Sequence, residues 1–173
     1  MNREDLLATI HRFYPRGIAR HEPGYAATEE HRRLVSAARR AVDDYEVWSS
    51  MLGRLARRFS VQNESLFLLA GGVDPAYSAY VILATQTLGF HVSLLGPYYA
   101  VHRPGAVDEE PAATEVEAEI VATYPGYQPI AVELGEEKVA DVDGAIHGAP
   151  TIYECLFSEN WNRYPFSVAG GGG

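Results

Sequence analysis

The residues able to do chemistry fall into four groups. His91 and His102 bracket an apolar segment, and a hairpin turning at Gly96-Pro97 sets them opposite each other, close enough to share a metal ion. A zinc site takes about three or four ligands. Neither histidine has a local partner, and His147 and Cys155 stand at no recognisable spacing from them. The plainer reading is two polar residues on the less buried face of a sheet, with no metal or cofactor. Cys155 sits among Ile152, Leu156 and Phe157, an apolar setting that disfavours a thiolate, so it reads as a small core residue. Gly71-Gly72 lacks the Gly-Lys-Ser/Thr that completes a phosphate loop. No G-x-G-x-x-G, G-x-S-x-G, H-E-x-x-H or paired C-x-x-C occurs. No catalytic residue is assigned, and the chain does not read as an enzyme.

The fourth group is the carboxylates. The net charge is −9, unevenly spread. Residues 1–60 hold eleven arginines against eight acids, whereas residues 61–173 hold Arg103, Lys138 and Arg163 against fifteen acids. Asp108, Glu109 and Glu110 are accounted for by the positive end of a helix. Glu115 and Glu119, one turn apart, repel by about 0.2–0.5 kcal/mol, and Glu117 adds to the same field. Glu133, Glu136 and Glu137 follow with no basic residue before Lys138. Such a cluster adds nothing to folding stability. It is expected to be left without counter-ions and to meet a basic protein partner, where opposite charge speeds association, with Tyr124 and Tyr127 as anchors. The bland alternative is acidity that merely favours solubility. The arginines at 32, 33, 39 and 40 are expected to be offset by Glu29–Arg33, Arg39–Asp43 and Arg40–Asp44 pairs at i,i+4. Net acidity argues against nucleic acid or an anionic membrane as partner.

The elements that must position these groups begin with Asn2, a helix cap ahead of Glu4 and Asp5, and a stripe of Leu6, Leu7, Ile10 and Phe13. Thr28 caps a long helical pattern through Leu34, Ala38, Val42, Trp48, Met51 and Leu55. It is two helices or one bent helix, breaking near Asp43–Glu46 or Gly53. Ser65–Ala70, Ala79–Thr85 and Phe90–Leu95 read as strands, with Tyr98–His102 returning. The hairpin pairs Leu95 with Tyr98 and His91 with His102, and gives one apolar face and one mixed face. Arg103-Pro104-Gly105 is a turn. Asp108–Pro111 opens a helix with Val116, Ile120 and Tyr124 on its buried side. Pro129–Leu134 and Lys138–Val142 read as two short strands, and Thr151 caps a last helix. The expectation is one α+β domain over residues 1–168, its antiparallel-rich central sheet packed against the N-terminal helices, with 169–173 a flexible Gly-rich tail.

A chain of 173 residues buries enough apolar surface to fold without staples, and one cysteine excludes an internal disulfide. The acids at Glu4 and Asp5 do not suit a secretory signal, and no apolar run approaches the about 20 residues that span a bilayer. A cytoplasmic location is expected.

Three segments resemble the small, acidic, single-domain immunity proteins of bacterial polymorphic-toxin systems, of the immunity protein 52 type. They are Arg12-Phe13-Tyr14-Pro15-Arg16-Gly17, Gly89 to Tyr99, and Thr151-Ile152-Tyr153-Glu154-Cys155-Leu156-Phe157. The resemblance implies a non-enzymatic protein that binds a cognate toxin, often a nuclease, and blocks its active site or substrate path. It assigns no binding residue. The charge pattern supplies those: Glu115, Glu117, Glu119, Glu133, Glu136 and Glu137, flanked by Tyr124 and Tyr127. Two alternatives stand beside this expectation. One is a small-molecule-binding domain or enzyme using His91, His102 and Tyr99. The other is a structural subunit that associates with itself.

Overall fold

The computed structural model describes residues 2–84, 87–102, 110–144 and 148–158, and of Phe67, His102 and Glu110 the backbone only. Helix starts follow their caps. At α1 (Arg3–Phe13) the Asn2 side chain accepts from the Asp5 N–H, while the Asp5 carboxylate accepts from the Asn2 N–H. At α2 (Glu29–Asp43) the Thr28 hydroxyl accepts from the His31 N–H at 3.2 Å. The expected break falls at Asp44, after which α3 (Tyr45–Leu55) begins. Thr151 and Glu154 form a second reciprocal cap on α7 (Ile152–Leu156). Each such cap is worth about 1 kcal/mol.

Among the described residues five strands form one sheet in the order β1 (Ser60–Asn63), β2 (Ala76–Ile82), β3 (Thr87–Ser93), β4 (Tyr98–His102), β5 (Gln128–Pro129). The first four are antiparallel neighbours, and β5 runs parallel to β4. Side chains alternate between two covered faces. Tyr77, Ala79, Val81, Leu88, Phe90, Val92 and Tyr99 pack against Trp48, Met51 and Leu55 of α3 and Val116 and Ile120 of α5 (Glu110–Thr123). Trp48 is fully buried and stacks on Tyr77, ring centres 5.2 Å apart and planes 11° apart. The other face carries Ala76, Tyr98 and Ala100, covered by Leu6 and Ile10 of α1 and by Ile152, Leu156 and Phe157 at the C-terminal side. Helix α2 reaches both cores, with Leu34 and Ala37 on one side and Ala38 and Ala41 on the other. The fold is α+β with a mostly antiparallel sheet, as expected.

Four expectations need correction. Ser65–Ala70 is not a strand: Leu66–Leu69 is a single helical turn, α4, closed by the Ala70 N–H to the Leu66 carbonyl at 3.1 Å. Leu68 is buried, while Leu66 and Leu69 stay exposed, so the run carries too little core contact to demand a ladder. Neither Pro129–Leu134 nor Lys138–Val142 is a strand of that length. Two residues form β5, and Val132–Gly135 turns into the short helix α6. The Lys138–Val142 stretch makes only isolated bridges, Lys138 to Thr151 and Val142 to Arg16. There the Gly17 N–H reaches the Asp141 carbonyl at 3.0 Å, with Gly17 at φ 68°, a conformation that favours glycine.

The β3–β4 register is the third correction. His91 pairs with Ala100 and Gly89 with His102, a slip of two residues from the expected pairing. A two-residue slip keeps every side chain on its face, so the faces are as read and the partners are not. The turn spans Leu94–Pro97, and the Leu94 N–H, which continues the β2–β3 ladder, reaches the Pro75 carbonyl at 2.8 Å. The fourth concerns polarity: the face holding His91 is not the less buried one. His91 is 3% exposed and Ser93 1%, beneath α1 and α7. Expectations for Thr85, the 103–105 turn, Asp108, Glu109, His147 and the 169–173 tail lie outside the described residues.

Candidate functional site

The six glutamates do not form one uncompensated surface. Glu115 and Glu119 stand on α5 beside α3, where Arg58 Nη1 meets Glu115 at 2.6 Å and Arg54 Nε meets Glu119 at 2.8 Å. Arg54 also donates to the Thr123 hydroxyl at 2.5 Å, tying the last turn of α5 to α3. Glu117 is half-buried on the same helix. Glu137 lies in the other layer, bound to Arg3 of α1 at 2.5 Å. The expectation that these acids lack counter-ions is therefore corrected at three positions. The arginines of the N-terminal helices supply the missing charge, across 57 to 134 residues of chain.

Glu133 and Glu136, on α6 and at its end, are exposed and make no ion pair or side-chain hydrogen bond among the described residues. Beside them Val132 is 62% exposed, a high value for an aliphatic residue. Beneath α6 lies Tyr153, whose hydroxyl donates to the Ile130 carbonyl at 2.9 Å. Its ring passes so close to Gly135 that a Cβ there would stand 2.5 Å from Cε1 and nearer still to Cζ and Cε2. Burial, and then the charges of Glu136 and Glu133, push the Tyr153 pKa up to about 12.

Tyr124 and Tyr127 are half-buried. Their rings meet at 5.2 Å and pack on the α3–α5 side of the sheet. Burial raises the pKa of both, and the Tyr124 hydroxyl is buried without a hydrogen-bond partner.

The His91, His102 and Tyr99 grouping is also not formed as expected. Tyr99 is 4% exposed on the opposite face of the sheet from His91, packed in the Trp48 core. His102 pairs with Gly89, and its side chain lies outside the described residues. His91 instead accepts or donates through Nδ1 to Ser78 Oγ, its cross-strand neighbour, at 2.8 Å.

That Ser78–His91 pair lies on the floor of a cleft of about 680 Å³ between the sheet and the segment leading into α2. Tyr80 continues the floor, Arg20, Tyr25 and His31 come from the overlying segment, and Glu64 and Asp74 come from the chain ends flanking β1 and β2. The His31 ring tilts against Tyr25 at 5.3 Å, and its buried Nδ1 has no hydrogen-bond partner. Burial, followed by the nearby Arg20 charge, lowers the His31 pKa, so protonation of the ring is disfavoured. The Arg20 guanidinium lies over the Tyr14 ring at 5.8 Å. Sequence reasoning missed this cleft because its lining comes from six separate stretches. The only local signal was Thr28, whose cap places His31 in the first turn of α2.

Among the described residues no group of three or more His, Cys, Asp or Glu is placed to hold a metal, and no helix is long and apolar enough to cross a membrane. Cys155 is buried, and its carbonyl accepts the Tyr14 hydroxyl at 2.8 Å. The chain matches no protein-family model, no curated protein and no solved structure.

Proposed function

We propose that this protein works by stoichiometric binding, neutralising a basic toxin domain in the manner of the polymorphic-toxin immunity proteins it resembles. One observation carries the reading. The three segments of resemblance, far apart in sequence, each contribute to one core, through Phe13 and Tyr14, Leu95 and Tyr98, and Ile152, Tyr153, Leu156 and Phe157, while Phe90, Val92 and Tyr99 of the middle segment face the other. The docking surface that fits a basic partner is the α6 corner. There Glu133 and Glu136, which pair with no cation among the described residues, stand on the same short helix and its C-terminal end as the exposed Val132, the apolar anchor. Glu115, Glu119 and Glu137 are assigned instead to holding helices together.

The test starts from affinity capture with the full chain in its native cell and identification of what co-elutes by mass spectrometry. A basic protein whose expression arrests growth, and whose effect is relieved by co-expressing this chain, supports the proposal. The Glu133→Lys/Glu136→Lys variant is expected to keep the native circular dichroism spectrum and to lose protection. Absence of any captured toxin, or full protection by the variant, counts against the function or the surface respectively.

A second reading rests on the cleft, where the buried, unpartnered Nδ1 of His31 lies next to a cation in a space large enough for a small ligand. Side-chain NMR of His31 during titration with small carboxylates and amines tests it. Resonances that never move would dismiss this reading.

A further inference from the structure

The outer faces of α1 and α2 form a groove of about 300 Å³ whose charge runs against that of the whole molecule. Arg12 stands on one wall, its guanidinium 5.7 Å from the Phe13 ring centre, and Arg32, Arg33 and Arg40 stand on the other. One carboxylate, Glu29, is present, and Arg33 holds it in an i,i+4 pair. Arg33 also reaches the Arg12 carbonyl at 3.4 Å, which links the two walls. The expected Arg40–Asp44 and Arg39–Asp43 pairs are not made. Among the described residues Arg32 and Arg40 have no anionic partner at all. Their spacing of eight residues puts them about 12 Å apart along the helix, with the Ser36 hydroxyl between them.

We infer that this groove docks an acidic segment of a protein partner, one presenting two or three carboxylates at one-turn intervals on a helix. Two unpartnered guanidiniums in register, with a third across the groove, supply charge-assisted hydrogen bonds at those intervals. A long polyanion fits less well. Nucleic acid needs a continuous cationic track, and residues 61–173 carry fifteen acids against three bases. This surface lies on α1 and α2 and owes nothing to α6, so it engages a different region of a partner, or a different partner, from the proposed toxin site.

The experiment uses the full chain and a fluorescent helical peptide carrying Glu at i, i+4 and i+8 on one face, read by anisotropy. Its Gln counterpart and a DNA duplex of similar length serve as competing probes. The Glu peptide is expected to bind, to weaken as salt rises, and to lose about tenfold in affinity against Arg32→Gln/Arg40→Gln, the effect of removing two exposed ion pairs. The Glu133→Lys/Glu136→Lys variant should bind it undiminished, which separates this test from that of the toxin surface. Equal binding of the Gln peptide, tighter binding of the duplex, or an unchanged affinity in the Arg32/Arg40 variant would overturn the inference.

Discussion

Tyr153→Phe makes the sharpest test of how the α6 corner is built. At neutral pH the substitution removes one hydroxyl and strands the Ile130 carbonyl, in a site where Tyr153 is 2% and Ile130 5% exposed. Leaving a buried acceptor unsatisfied costs about 1–2 kcal/mol. At high pH the balance turns. A tyrosine of ordinary pKa about 10 in the unfolded chain, and about 12 when folded, holds its proton more tightly in the native state. That preference contributes stability fully present below pH 10 and lost as pH rises towards 12, amounting to about 3 kcal/mol in total and about half of it by pH 11. Phenylalanine has no proton to lose, so the variant escapes this part of the decline. The native protein should therefore lead by about 1–2 kcal/mol at pH 7–9, and the gap should close near pH 11 and reverse by pH 12. Urea unfolding followed by circular dichroism at each pH reads both curves, and other titrating groups cancel in the difference. A gap that stays constant from pH 9 to pH 12 would refute the account, because it would mean the Tyr153 proton is not held by burial and by Glu136 and Glu133.

Two further predictions concern the same architecture. Gly135→Ala drives a methyl into the Tyr153 ring, which its bond to Ile130 prevents from swinging away, so a loss of about 1–3 kcal/mol in urea unfolding is expected; an unchanged midpoint would show that α6 yields instead. A double-mutant cycle of Arg54→Ala and Glu119→Ala should give a coupling of only about 0.3–1 kcal/mol, since their side chains are 40% and 31% exposed. That coupling should shrink in high salt, and one that ignores salt would mean the link is carried by Thr123.

Helices carrying their own start signals were legible from local chemistry. Asn2, Thr28 and Thr151 each supply the side-chain acceptor, and at the first and last a carboxylate three residues on returns the bond. The 66–70 run was not legible, because continuous apolar residues suit a buried strand or a buried helical turn equally. Only burial, one inward leucine between two exposed ones, tells them apart. The hairpin faces were legible and its partners were not. Period-two alternation survives an even slip, so it fixes the face that a residue takes and not the partner it meets. Charge failed as a guide for the same reason. A count along the chain shows Glu115, Glu119 and Glu137 far from any arginine, but the ion pairs join elements that are distant in sequence and neighbours in space.

The sheet's two borders bear on how any partner can be recognised. On one side β1 is four residues long, and its burial shifts from residue to residue. On the other, β5 is two residues long and ends in Pro129, which has no N–H to donate. Short and proline-terminated margins offer a visiting chain few backbone groups to ladder onto. Main-chain zippering is thus a poor route into this molecule, whether for a cognate protein or for an aggregating copy. Specific association has to be read through side chains, at corners and grooves on the helical exterior, where single substitutions can redirect it without disturbing the strands.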